Sequence, residues 1–150
     1  MSFSAGGIVL ASQLNNLLTP GWTAYTPSWT ASTTNPVLNN GTLVGRYRRP
    51  TGADLVIVEV RLTIGSTTTF GSGTYWISVP VTPSATATLN AAGACYTLDS
   101  GTLDKAAITV FEDNTKVKFV SATAGVFTPT VPQTFANGDQ IRFSIAYEPA

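Results

Sequence analysis

The chain has 150 residues, eight of them basic and eight acidic, for a formal net charge of zero. That length supports one core able to bury roughly two-thirds of the unfolded surface, and zero net charge removes the long-range field that draws a protein onto a polyanion, so nucleic acid is not an expected partner. Histidine is absent, which takes away the usual general base, the usual zinc ligand and every Ser-His or Cys-His nucleophile pair.

The first predicted element is helical. Leu10, Leu14, Leu17 and Leu18 share one helical stripe, with Ser12 as a possible cap and Thr19-Pro20-Gly21 as the stop. So short an amphipathic helix needs a surface to lie on. Residues 1–20 are therefore expected to form a docking segment, with Leu10, Leu14, Leu17 and Leu18 as its contacts, although the same leucines would also serve to close one end of the chain's own core. The apolar stretch Ile8 to Ala11 is too short to span a bilayer and the start lacks the basic residues of a secretory signal. Synthesis and assembly in a cytoplasm, with no membrane partner, are expected.

From Trp22 onward the period changes to two, with proline and glycine between short runs. In Leu55 to Ile64, the residues Val56, Val58, Val60, Leu62 and Ile64 share one face, which makes that face the core side. Its hairpin partner is Gly41 to Arg49, with Leu43 and Tyr47 inward and Val44, Arg46 and Arg48 outward. The matching register places Arg46 opposite Glu59. A second hairpin is predicted with Ile108 and Val110 facing Phe119 and Val117 across a turn at Asp113-Asn114. Further strands are expected at Gly73 to Val79, Ala94 to Leu98 and Gln140 to Glu148, the last with Ile141, Phe143, Ile145 and Tyr147 on one face. Ser66 to Thr69 and Thr82 to Thr88 read as loops, and Asn40-Gly41 as a turn. The expected fold is all-β: an antiparallel β-sandwich or jelly roll of about eight strands over residues 21–150, with a short N-terminal helical segment before it.

A search for chemistry finds little. The carboxylate pairs on offer are Asp99 with Asp104 and Glu112 with Asp113; the second sits in a predicted turn, where adjacent residues point to opposite faces. Asp99 to Asp104 does not match a calcium-loop spacing, and there is no glycine-rich phosphate-binding run. Cys95 is the only cysteine, so no intrachain disulfide forms, and it reads as a small buried apolar residue. No catalytic residue, metal or cofactor is expected. Flat rings with polar edges suit contacts with sugars or other subunits, and Trp22, Tyr25, Trp29 and Trp76 are the candidates, joined by Arg46 and Arg48 at a strand end. In Tyr75-Trp76-Ile77 only one face can point inward.

Two stretches carry a resemblance: Trp22 to Arg49, with Trp-Thr-Ala-Tyr-Thr-Pro-Ser-Trp-Thr and Gly-Arg-Tyr-Arg-Arg, and Arg61 to Gly73, with Gly-Ser-Thr-Thr-Thr-Phe-Gly-Ser-Gly. Together with Asn137 to Phe143 they resemble a domain of actinobacterial phage virion proteins, often tail-associated. The opening around Ala11 to Leu17 is similar to the segment that precedes fibre or spike domains in such proteins. The resemblance implies a non-enzymatic virion protein, tail-associated or receptor-binding, displayed as a homotrimer and held by its N-terminal segment to other virion proteins. The single-domain length equally fits a head-decoration protein on the capsid, and the aromatics fit a module for a host cell-surface glycan.

Overall fold

The computed structural model describes residues 21–50, 54–101 and 104–150. Among these, the chain forms ten strands and one short helix. In order they are β1 (Thr23–Tyr25), β2 (Trp29–Ala31), β3 (Thr42–Arg48), β4 (Val56–Thr63), β5 (Tyr75–Ser78), α1 (Ala85–Asn90), β6 (Ala92–Leu98), β7 (Lys105–Phe111), β8 (Lys116–Ser121), β9 (Gly125–Val126) and β10 (Gln140–Tyr147). The fold is all-β, and every strand pair is antiparallel. The predicted N-terminal helix and its leucines lie outside the described residues.

The strands form one sheet in the order β1-β3-β4-β10-β6-β7-β8-β5-β2, with β9 beside β8. The two ends of that order, β1 and β2, are separated in sequence only by Thr26, Pro27 and Ser28. So short a link forces the sheet to curl until its ends meet. The Ser78 amide donates to the Ser28 carbonyl at 3.0 Å and the Ser28 amide to Ser78 Oγ at 2.8 Å, extending the β2–β5 ladder into the link, and across the seam the Tyr25 hydroxyl of β1 donates to the Ser78 carbonyl at 3.3 Å. The curl also brings β8 over β10 although two strands separate them: the rings of Phe119 and Phe143 are 5.2 Å apart.

The inside of the curl is the core. Val56, Val58, Val60, Leu62 and Ile64 are all buried, as are Ile141, Phe143, Ile145 and Tyr147. The β3–β4 register sets Arg46 opposite Glu59 and Tyr47 opposite Val58, as the alternation predicts. Gly45 is glycine for want of space: a Cβ there would lie 2.5 Å from the Tyr25 ring, which covers the strand at that point and packs edge-on against Tyr47. The Asn40 turn is present, with Asn39 in the left-handed region at φ 48° and the Gly41 amide donating to the Leu38 carbonyl.

Three expectations need correction. The β7–β8 hairpin forms with Val117 and Phe119 fully buried, but its register is Ile108↔Val120, Thr109↔Phe119, Val110↔Lys118 and Phe111↔Val117. Thr109 and Phe111 therefore point inward and Ile108 stands half exposed. The larger Phe111 ring wins the core position, where it packs edge-on at 5.1 Å against Tyr147. Second, Thr82 to Thr88 is not all loop. Ser84 accepts from the Ala87 amide at 3.1 Å and caps α1, whose alanines favour helix. Third, the described strands number ten rather than about eight; β1, β2 and β9 are each three residues or fewer, too short for alternation to show.

Candidate functional site

Of the side chains nominated for contact, three come together. β1 pairs with β3 so that Thr23 lies beside Tyr47, which places Trp22 next to the outward side chains of β3. Its ring is covered by Arg46 at 4.4 Å and Arg48 at 5.0 Å, guanidinium carbon to ring centroid. Arg46 is held in turn by Glu59, with Nη2 2.7 Å and Nε 2.8 Å from Oε2. Trp22 nevertheless remains 36% exposed. The patch is thus an aromatic face fixed by two cations and open to solvent.

The other nominated aromatics serve different ends. Trp29 is not available for contact: it is buried, with its ring 5.0 Å from that of Tyr75, because the inward face of β2 is the wall of the core. Tyr25 closes the seam described above, and burial, followed by the neighbouring Tyr147, pushes its phenol well above the usual range. Tyr75 and Ile77 face inward, so Trp76 points out, half-buried under the ammonium of Lys116 at 4.0 Å. Trp76 lies on β5, opposite Lys118 of β8, and so does not join the Trp22 patch. Leu10, Leu14, Leu17 and Leu18 lie outside the described residues.

A second feature of the same outward face was not read from the sequence. On β3, β4, β10 and β6 the outward residues form two rows: Val44, Arg61, Arg142, Tyr96 and Arg46, Glu59, Ser144, Ala94. Ser144 and Ala94 are short and their neighbours long, so an open groove of about 670 Å³ forms between the side chains. Arg61 and Arg142 lie directly opposite each other across β4 and β10. The guanidinium of Arg142 sits 5.8 Å from the Tyr96 ring, and the Tyr96 hydroxyl donates to Asp104 Oδ2 at 2.9 Å, the bond that chiefly raises its phenol above the ordinary range. The outward parity of Arg61 and Arg142 was legible in each strand. Their meeting depends on β10 pairing with β4, for which neither strand carries a local signal.

The carboxylates are engaged elsewhere. Glu112 and Asp113 part as expected, pairing with Lys118 at 2.9 Å and Lys116 at 3.2 Å. Asp139 is buried and accepts from the Ser100 amide and hydroxyl, Gln133 Nε2 and the Ala136 amide, which ties the loop after β6 to the one before β10. Among the described residues no three His, Cys, Asp or Glu side chains are grouped to hold a metal. Cys95 is buried, and desolvation pushes its thiol up to about 12, so its nucleophilic form is scarce at neutral pH. No described helix is long and apolar enough to cross a membrane. No protein-family model, curated protein or solved structure matches the chain.

Proposed function

We propose that the chain is a non-enzymatic surface protein of a bacteriophage particle, tail-associated or receptor-binding. In this reading the β-domain is displayed outward as a homotrimer, and the N-terminal leucines dock it on other virion proteins. The curled sheet is taken as a jelly-roll-like sandwich whose layers are the β3-β4-β10 and β7-β8-β5 portions. The observation that carries the reading is the exposed Trp22 ring stacked with Arg46 and Arg48, because aromatic and arginine side chains together mark the anchors of protein contacts. The homotrimer draws support from a second surface. Ile108 is 50% and Val126 38% exposed, and they adjoin Val120 and Ala106 in an apolar strip over β7, β8 and β9 that a neighbouring copy would cover.

Particles purified from the phage that encodes the chain supply the test. The protein is expected as a stoichiometric component by mass spectrometry, and a cryo-electron microscopy map should show the β-domain on the particle surface in threefold groups. Its absence from purified particles would overturn the assignment. Density on the capsid lattice instead of the tail would move it to head decoration.

A further inference from the structure

We propose that the groove between Arg61, Arg142 and Tyr96 is a binding site for an acidic saccharide, with the two guanidinium groups holding a sugar carboxylate. Like charges directly opposite on a sheet are destabilising, and these two occupy matched positions on neighbouring strands. The Arg61 side chain makes no hydrogen bond or ion pair with any described residue, and that of Arg142 spends only its Nε, on Gln140 Oε1 at 2.8 Å. The one carboxylate lining the groove, Glu59, is committed to Arg46. Three arginines against one glutamate leave the groove with an excess of two positive charges.

The shape and chemistry select among anions. A planar guanidinium fork matches a carboxylate with two parallel hydrogen bonds, and about 670 Å³ accommodates a ligand of two or three sugar rings. The floor offers the Ser144 hydroxyl for sugar hydroxyls, and the Tyr96 ring, with its hydroxyl bonded to Asp104, forms part of the wall. Strands β4 and β10 are paired on both sides, so an extended peptide cannot add to an open edge here. Two excess charges in a chain of zero net charge do not make a phosphate track for nucleic acid. The inference rests on the groove alone and is independent of the particle assignment.

Isothermal titration of the full chain with trigalacturonate tests it, beside the neutral galactose trimer and inorganic phosphate. Trigalacturonate is expected to bind with an affinity that falls as salt rises, and both controls to bind at least about tenfold more weakly. Arg61→Gln and Arg142→Gln should each cost about tenfold in trigalacturonate affinity while leaving the thermal midpoint unchanged or raised, since each relieves the repulsion. Absence of trigalacturonate binding, equal binding of the neutral trimer or of phosphate, or wild-type affinity in both arginine variants would each overturn the site.

Discussion

The β3–β4 and β7–β8 hairpins both line the core, yet they settle their registers differently. In β4 one face carries Val56, Val58, Val60 and Leu62 and the other carries Glu59 and Arg61, so only one parity avoids burying charge. In β7 the two faces are close rivals: Lys105, Ala107, Thr109 and Phe111 against Ala106, Ile108 and Val110. What decides is not on the strand but across the curl, where Phe111 meets Tyr147. The cost is a buried Thr109 hydroxyl, which donates to the Ala94 carbonyl at 3.5 Å, and an Ile108 left half exposed. Parity is thus local information in β4, where charge and apolar residues separate cleanly, and tertiary information in β7, where the inward face carries Lys105 and Thr109.

Substitutions in β7–β8 put the largest strain on this comparison. Phe119→Ala should cost roughly 3 to 5 kcal/mol and Phe111→Ala a similar amount, whereas Ile108→Ala should stay below about 1 kcal/mol. Chemical denaturation measures all three, and an Ile108→Ala cost equal to that of Phe111→Ala would show that the other face points inward.

Alkaline pH probes the strands that join the two hairpins. Burial lifts the Cys95 thiol on β6 from 9.0 to about 12 and the Tyr147 phenol on β10 from 10.0 to about 12. Folded pKa values above the unfolded ones mean that the folded state holds its protons more tightly. Stability should therefore be flat below about pH 9 and fall by a few kcal/mol by pH 11. A denaturation midpoint constant up to pH 11 would contradict the burial of both groups.

Smaller effects sharpen the contrast. Thr109→Val should change stability by no more than about 1 kcal/mol, because a long hydrogen bond is exchanged for apolar packing of the same shape. Reversing both charges of the exposed Arg46–Glu59 pair should also change stability by less than about 1 kcal/mol, and a larger loss would show that the pair helps to set the β3–β4 register.

The same physics explains what could be read from the sequence. The all-β class, the β3–β4 register, the inward face of β10 and the Arg46–Glu59 pairing follow from alternation with charge on one side. The curl does not, because it depends on β1 and β2 taking opposite edges of the sheet, and three-residue strands carry no period. The outward site was half legible. Arg46 and Arg48 stood out as a cluster, and Trp22 as an aromatic near them in sequence. Arg61, Arg142 and Tyr96 come from three separate strands and gain meaning only once β10 lies between β4 and β6. Trp29 was misplaced because an aromatic in a three-residue strand has no neighbours by which to tell its face.

The inner face of the curled sheet stabilises the protein, and in the proposed role its outer face serves contact. The most direct measurement pairs thermal unfolding with particle incorporation for Trp22→Ala. The ring is stacked on two arginines and partly exposed, so its loss should cost no more than about 1 to 2 kcal/mol, and the melting temperature should fall far less than for Phe119→Ala. In the proposed virion role the patch adds a contact to that of the leucine docking segment, so incorporation into particles, or rebinding to particles lacking the protein, should weaken. A drop in melting temperature matching that of Phe119→Ala, or undiminished incorporation, would contradict the account.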